Sequence, residues 1–222
     1  MIFLAADTSG KEGSLALGRA EGQALEIVEV LALVGGNFSA QLVPQIAELL
    51  FRHGFIQRDI DGFAVATGPG SFTGLRVGLA AIKGLAEALQ KPVAAVSRLE
   101  AVARAASTQG RIFAALDAGR KQAYVGDCNI EGESAACLKE HLLSWEDIAP
   151  YAARGLVATP DFQVAEAVRA AKGVVREVES PRADAIARIG WAKFLAGETA
   201  DIASLEANYI RRTDAEILVH GK

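Results

Sequence analysis

Residues 68–79 have the sequence GPGSFTGLRVGL, the most specific structural signal in the chain. The apolar run GFAVAT at residues 62–67 precedes it, and apolar side chains follow at the three- and four-residue spacing of a helix. The Gly-Pro-Gly triplet is typical of a sharp turn, and Ser71 or Thr73 is the candidate N-cap of the helix. The sequence therefore predicts a buried strand, a turn and a long helix that Pro92 stops.

Two glycines lie one turn apart inside this predicted helix. Gly74 and Gly78 each cost up to about 1 kcal/mol relative to alanine at an interior helix position. The usual compensation is the close approach of another backbone, which predicts tight packing against the sheet or a neighbouring helix. A helix start after a glycine-rich turn is also typical of an anion site. The spacing favours the packing interpretation, and the anion site stays open as the alternative.

Apolar runs alternate with helical patterns along most of the chain. This mixed order of strands, hairpins and helices predicts an α/β fold with two lobes, an N-terminal one at 1–105 and a C-terminal one at 106–222. Strands are predicted at residues 2–6, 14–18, 24–33, 62–67, 93–96, 112–116, 122–128, 156–158 and 174–178. Helices are predicted at residues 42–50, 75–89, 97–107, 144–149, 161–171 and 183–195. Pro44 suits only a first turn, so the start of the first helix is open by several residues.

The two halves of the chain share a repeat. FLAADTSGK at residues 3–11 can be laid over FAALDAGRK at residues 113–121. Each copy is an apolar strand, an aspartate (Asp7 or Asp117), small turn residues and a lysine, followed by a returning strand. Two ordinary hairpins give the same pattern, because Asp and Gly are common in turns. The alternative is a duplicated fold whose hairpins face each other across a cleft and hold phosphates and Mg²⁺.

Composition and charge exclude several classes of protein. The 222 residues are 51% hydrophobic and 23% charged, which excludes an intrinsically disordered chain. The net charge of −4 lacks the basic excess of a nucleic-acid binder that works alone. The sequence predicts neither a membrane span nor a signal peptide. Cys128 and Cys137 are too few for a disulfide framework, so we expect free thiols and a cytoplasmic location.

The sequence resembles one known family. GPGSFTGLRVGLAAIKGLA at residues 68–86 is similar to the signature of the bacterial TsaB (YeaZ) family. LAADTS at residues 4–9, DAGRKQAYVG at 117–126 and NYIRRTDAE at 208–216 resemble it as well, so the similarity extends over nearly the whole chain. The resemblance implies the two-lobed, RNase H-like fold of the actin/Hsp70 ATPase superfamily. Such a fold would account for the repeat.

The resemblance implies a partner protein without catalytic residues of its own. Members of the family pair with their paralogue TsaD. With TsaE and TsaC-type proteins they place threonylcarbamoyl on the adenosine next to the anticodon of ANN-decoding tRNAs. TsaD holds a metal with an His-x-x-x-His pair, whose positions here are Arg98 and Val102, and neither is an ordinary metal ligand. We therefore expect no metal in this chain, and tRNA contact mainly through its partners.

The helices that begin near Ser39 and Thr73 are the expected surface for TsaD. Small and aliphatic side chains suit a tightly packed helical interface, although part of the stripe must cover the protein's own sheet. Without TsaD, the same surface is expected to pair with a second copy. Phe38 stands where the family commonly has a histidine, which puts that detail of the contact in question. The predicted interface residues are Ser39, Leu42, Val43, Ile46, Leu50, Thr73, Gly74, Leu75, Gly78, Leu79 and Ile82.

A vestigial nucleotide site is the second implication of the resemblance. LVATPDF at residues 156–162 lacks the glycines of an adenosine loop, so we expect ATP or ADP only at an interface between proteins. The alternative function is an active ATPase or small-molecule kinase with Mg²⁺-ATP held by the two hairpin aspartates. The basic pairs at 120–121 and 211–212 fit solvated surface or contacts to tRNA. The residues of the vestigial site are Asp7, Thr8, Ser9, Asp117, Gly119 and Lys121.

Overall fold

The computed structural model describes residues 1–34 and 37–211, and this part of the chain confirms the predicted α/β fold. Its strands are β1 (Ile2–Asp7), β2 (Gly13–Glu21), β3 (Ala24–Leu33), β4 (Ile60–Gly68), β5 (Val93–Ser97), β6 (Gly110–Gly119), β7 (Gln122–Glu131), β8 (Ser134–Ser144), β9 (Val157–Thr159) and β10 (Val175–Glu177). Its helices are α1 (Phe38–Arg52), α2 (Phe72–Leu89), α3 (Arg98–Ala105), α4 (Ala149–Ala152), α5 (Phe162–Ala170) and α6 (Ala183–Leu195).

Each lobe is built on one mixed five-stranded sheet. In the first sheet, with the order β3-β2-β1-β4-β5, the hairpin strands are antiparallel and β1, β4 and β5 are parallel. The second sheet, β8-β7-β6-β9-β10, has the same order and the same strand directions. The repeat between residues 3–11 and 113–121 therefore marks two copies of one sheet topology, and not merely two similar hairpins.

Helices α3 and α6 lie between the two sheets and share one apolar core with both of them. Their small side chains permit close contact: a Cβ atom added to Gly190 would lie 2.4 Å from the Cβ of Ala64. Inside this layer, Lys193 forms an ion pair with Glu100 at 2.8 Å. The chain returns to the first lobe through α6, and the division at 105/106 stays a prediction.

Helices α1 and α2 cover the opposite face of the first sheet. The side chain of Ser71 accepts a hydrogen bond from the backbone of Gly74 at 3.2 Å, which settles the N-cap of α2 in favour of Ser71 over Thr73. Helix α1 begins at Phe38, so Pro44 lies in its interior and not in its first turn. The burial of Leu42 and Ile46 offsets the backbone hydrogen bond that the proline removes.

The prediction of free cysteines was wrong. Cys128 and Cys137 form a disulfide, and the described residues contain no free cysteine. Their pairing follows from the register of β7 and β8, which places the two residues directly opposite each other. A count of cysteines carries no information on strand register. The sequence pattern also did not predict β8, so it could not place Cys137 opposite Cys128.

The remaining differences are local. The helix predicted at 144–149 is a single 3-10 turn at Glu146–Ile148 followed by the short α4. Helix α3 begins with a capping box, in which the Glu100 carboxylate accepts from the backbone N–H of Ser97 at 3.0 Å and the Ser97 hydroxyl accepts from the backbone N–H of Leu99 at 3.1 Å. Among the described residues, none of the helices combines the length and the apolar character that a membrane span requires.

Glu140 of β8 joins the second sheet to the first lobe. Its carboxylate accepts hydrogen bonds from the hydroxyl of Ser97 and from the side-chain amide of Asn208. Burial raises the pKa of the Glu140 carboxyl above its ordinary value, outweighing these two hydrogen bonds, which lower it. Nearby, Glu100 raises the same pKa and Lys193 lowers it by smaller amounts. The contact between the lobes thus contains a carboxyl group that burial favours in its neutral form.

Replacing Glu140 with glutamine is expected to change how stability depends on pH. The raised folded-state pKa means that this group's stabilising contribution is complete below the unfolded pKa of about 4.3 and is lost as pH rises through the folded pKa. As the pH rises from the unfolded pKa to above the folded pKa, the free energy of unfolding of the wild-type chain should therefore fall relative to that of Glu140→Gln. Urea unfolding at several pH values measures this difference. Glu206→Gln, at an exposed glutamate, is the control and should keep the wild-type slope. Equal slopes for all three chains would contradict the burial argument.

Candidate functional site

The turn between β1 and β2 packs directly on helix α2. The hydroxyl of Thr8 donates to the carbonyl of Gly74 at 2.7 Å. The backbone N–H of Ser71 donates to the carbonyl of Ser9, also at 2.7 Å. A Cβ atom on Gly74 would lie 2.0 Å from the carbonyl oxygen of Thr8, and one on Gly78 would lie 2.3 Å from its hydroxyl. The packing interpretation of the two glycines is therefore confirmed. The group that approaches them is Thr8 of the predicted nucleotide site, through its backbone carbonyl at Gly74 and through its side chain at Gly78.

Asp7, at the end of β1, is buried and its carboxylate is engaged inside the chain. One oxygen accepts hydrogen bonds from the backbone and the hydroxyl of Ser9, the former at 2.9 Å. The other oxygen lies 3.7 Å from Nε of Arg98, which is buried and has no hydrogen-bond partner of its own. Arg98 thus supplies the positive charge beside Asp7 through an ion pair. Val102, one turn further along α3, is fully buried in the core between the sheets.

The predicted residues of the second hairpin lie apart from Asp7. The backbone N–H of Asp117 donates to Asp161 at 2.7 Å, and the Asp117 carboxylate accepts from the backbone of Gly119 at 2.8 Å. A cleft of about 650 Å³ lies beside Asp7 and is bordered by Arg98 and Asp161, whereas Asp117, Gly119 and Lys121 do not line it. The structure therefore brings Asp7, Thr8 and Ser9 together and leaves the other three at a separate turn. No cluster of three or more metal-ligating side chains occurs at residues 1–34 and 37–211.

Most of the predicted partner-interface residues lie inside the chain's own core. Eight are buried: Leu42, Ile46, Leu50, Gly74, Leu75, Gly78, Leu79 and Ile82. They pack on the first sheet or on its hairpin, so they support α1 and α2 from beneath. Ser39, Val43 and Thr73 are exposed. A contact surface on these helices is therefore restricted to these three residues and their exposed neighbours.

Two uncharged stripes occupy the solvent side of α1 and α2, which pack against each other. On α1 the stripe is Ala40, Val43, Ala47 and Phe51, and on α2 it is Thr73, Ala80, Gly84 and Ala88. We call these eight residues the outer helix face. Phe51 is 80% exposed and Val43 is 51% exposed, so the stripe on α1 presents two large apolar side chains to solvent. The small residues on α2 leave room for the backbone of another helix to come close.

Over nearly its full length, the chain is similar to proteins that are named for a single modification of tRNA. The family model described as "TsaD: tRNA N6-adenosine threonylcarbamoyltransferase" matches residues 32–216. The tRNA threonylcarbamoyladenosine biosynthesis protein TsaB of Bacillus subtilis is 30% identical, with the match covering 97% of this chain and 96% of that protein. The chain belongs to the TsaB family. The TsaB protein of Escherichia coli is also similar, at 28% identity over 82% of this chain and 84% of its own length.

Solved structures agree with membership of the TsaB family. A protein described as YeaZ from Pseudomonas aeruginosa has a TM-score of 0.75 at 27% identity, covering 94% of this chain and 99% of that one. A second structure from that organism, described as an uncharacterized protein with similarity to the peptidase YeaZ, has a TM-score of 0.78 at 29% identity. It covers 95% of this chain and 99% of the other. The resemblance drawn from residues 68–86 is thus confirmed for the family and for the two-lobed fold.

Two of the motifs that carry the TsaB resemblance, at 68–86 and 208–216, meet in a side-chain cluster that sequence reasoning missed. Phe72 and Tyr209 have ring centroids 5.0 Å apart, and the guanidinium of Arg76 lies 3.7 Å from the Phe72 centroid. Nε of Arg76 also donates to the hydroxyl of Tyr209 at 3.0 Å. The one sequence feature that could have indicated this cluster is Tyr209, in the C-terminal motif at 208–216. The structure describes that motif up to Arg211, and Arg212 and the rest lie outside the described residues. Nothing in the spacing pointed from this tyrosine to the start of α2.

Proposed function

We propose that this chain is the non-catalytic, cytoplasmic partner of TsaD in the threonylcarbamoylation of the adenosine next to the anticodon of ANN-decoding tRNAs. The ion pair between Arg98 and Asp7 carries the proposal. At the two positions where the paralogue has its histidine pair, this chain has a guanidinium bound to a buried aspartate and a core valine. Both positions therefore stabilise the fold, and the metal-dependent transfer falls to TsaD.

The outer helix face supports the partner role. It presents exposed apolar side chains on α1 beside alanine and glycine on α2, and none of its eight residues is charged. Interfaces of this kind bury an apolar centre, and small residues let two helix pairs approach closely. In the absence of TsaD, a second copy of this chain is the expected occupant, because exposed apolar patches tend to be covered. TsaE and TsaC-type proteins act with this pair in the same modification.

The alternative of an active ATPase or kinase has less support. It requires Asp7 and Asp117 to hold Mg²⁺-ATP between them. The carboxylate of Asp7 is instead paired with Arg98 and Ser9, and Asp117 does not border the cleft beside Asp7. ATP or ADP at an interface with TsaD remains compatible with this geometry.

The proposed function is tested by mixing the purified chain with its cognate TsaD. We expect the two to elute together in gel filtration at micromolar concentrations. TsaD should transfer threonylcarbamoyl to tRNA faster with this chain than without it, whereas the chain alone should transfer none. Separate elution of the two proteins together with unchanged TsaD activity would overturn the proposal.

A further inference from the structure

A groove of about 390 Å³ lies along the carboxyl-terminal half of α6, and we call it the α6 groove. The start of β3 forms one wall, and Glu133 in the turn between β7 and β8 forms the other. The α6 groove shares no residue with the outer helix face or with the cleft beside Asp7, which borders the opposite end of α6 at Arg182. Its volume lies within the range of small-molecule sites.

The apolar surface of the α6 groove is held in one arrangement. Trp191 lines the groove and is only 4% exposed. Its indole Nε1 donates to the carbonyl of Gln23 at 2.9 Å, and its ring stacks on Phe194 with the centroids 5.1 Å apart. Leu25 and Leu195 line the groove as well, and Leu195 is 46% exposed. Because the indole is already fixed, the cost of ordering it does not weaken the binding of an apolar ligand.

The charged part of the α6 groove contains a guanidinium without a partner. Arg188 lines the groove and forms no ion pair or side-chain hydrogen bond with any residue at 1–34 and 37–211. The carboxylate of Glu133 is bound by Arg104. Burial lowers the pKa of the Arg104 guanidinium, and the positive charge of Arg188 lowers that pKa further. This region therefore has two guanidiniums for one carboxylate, and the unbalanced positive charge favours a ligand with a single negative charge.

The spacing along α6 places the charge and the apolar surface in one line. Arg188, Trp191 and Leu195 follow one another at intervals of three and four residues, which puts them on one face of the helix. Along the helix axis, the distance from Arg188 to Leu195 is about 10 Å at 1.5 Å per residue. The small side chains of Ala24 and Ala192 keep this path open. A ligand that reaches both ends has an anionic group at one end and an apolar body of similar length.

We propose that the α6 groove binds a carboxylic acid with an unbranched apolar chain, with the carboxylate paired to Arg188 and the chain lying over Trp191 toward Leu195. A guanidinium pairs with a carboxylate through two parallel hydrogen bonds. Burial of the chain adds favourable free energy in proportion to its apolar area. The length of the path corresponds to an acid of about eight carbons. This site goes beyond the role as a partner of TsaD.

The proposal is tested by calorimetric titration of the full chain with octanoate, octan-1-ol and acetate. We expect octanoate to bind with a Kd below about 1 mM. It should bind at least tenfold more tightly than the other two, because octan-1-ol lacks the charge and acetate lacks the chain. From butanoate to octanoate, each added methylene should raise the affinity about two- to fourfold. Binding of octan-1-ol as tight as that of octanoate, or no binding of octanoate at millimolar concentration, overturns the proposal.

Arginine variants locate the carboxylate. Arg188→Gln is expected to weaken the binding of octanoate at least tenfold, because it removes a charge-assisted hydrogen bond. Arg188→Lys keeps the positive charge and should stay within about fivefold of wild type. The control is Arg182→Gln, at an exposed arginine directly before α6 that borders the cleft beside Asp7 and not the α6 groove. Equal affinities of Arg188→Gln and Arg182→Gln would overturn the proposal.

Leucine variants locate the apolar chain. Leu195→Ala should weaken the binding of octanoate at least threefold, because it removes apolar surface at the end of the path. Leu138→Ala is the matched control, since Leu138 is 79% exposed on β8 and does not line the α6 groove. Both Arg188→Gln and Leu195→Ala should still elute with TsaD, so loss of the carboxylate site and loss of the partner are distinguishable. Equal affinities of Leu195→Ala and Leu138→Ala for octanoate would overturn the assigned path of the chain.

Discussion

Gly74→Ala is expected to lower the free energy of unfolding by about 3 kcal/mol or more, measured by urea denaturation. The added Cβ atom would lie 2.0 Å from the carbonyl oxygen of Thr8. That oxygen belongs to the backbone of a buried turn, so it cannot move aside as a flexible side chain would. The hairpin between β1 and β2 would have to shift away from α2, breaking the hydrogen bond from the Thr8 hydroxyl to Gly74.

Gly84→Ala is the matched control in the same helix. A Cβ atom at this position meets nothing within 4 Å. Since alanine is the better helix former, this variant should unfold at a higher urea concentration, with a gain of up to about 1 kcal/mol. The two substitutions are chemically identical, so opposite signs would isolate the contact with the hairpin. A neutral Gly74→Ala would show that the hairpin does not pack on this helix as described.

Ala80→Arg is expected to weaken the association with TsaD by at least 100-fold, measured by calorimetry or by elution. Ala80 lies at the centre of the stripe that α2 contributes to the outer helix face, and it is exposed. An arginine here would place a long, charged side chain where a partner helix has to come close, and a charge buried without a partner is strongly unfavourable. The variant should fold normally, because the side chain extends into solvent in the isolated chain.

The control for this substitution is Ala105→Arg. Ala105 is an exposed alanine at the end of α3, outside the outer helix face. It adds the same charge and volume to the chain, so its affinity for TsaD should stay within about threefold of wild type. Should Ala80→Arg bind TsaD as tightly as Ala105→Arg, the partner surface lies elsewhere on the molecule.

Local patterns predicted the elements around the Gly-Pro-Gly turn well. The run at 62–67 lies in strand β4, and the glycine pair marks a close contact with Thr8, because a glycine in a helix needs a specific reason. All nine predicted strands are present. β8 was missed because it is a partly exposed edge strand, SAACLKEHLLS, whose apolar and polar residues do not alternate regularly. The disulfide was missed along with it.

The site was predictable only in part, because burial depends on the assembled fold. The spacing of Leu42, Ile46 and Leu50 identifies one face of a helix but cannot tell a core from an interface, and the structure places all three in the core. The ion pair of Asp7 with Arg98 joins the end of β1 to the start of α3, which are far apart in the sequence and meet only in the folded chain. The same holds for the contact of Phe72 with Tyr209, which no short motif encodes.

The pairing of Asp7 with Arg98 means that the hairpin between β1 and β2 needs no bound metal ion to neutralise its aspartate. An aspartate neutralised by a bound ion is stabilised by an amount that depends on the concentration of that ion, whereas a cation carried by the same polypeptide cannot dissociate. The turn that packs on α2, and with it the placement of the outer helix face, is therefore assembled as soon as the chain folds. Chelating agents and changes in magnesium supply should leave this surface intact.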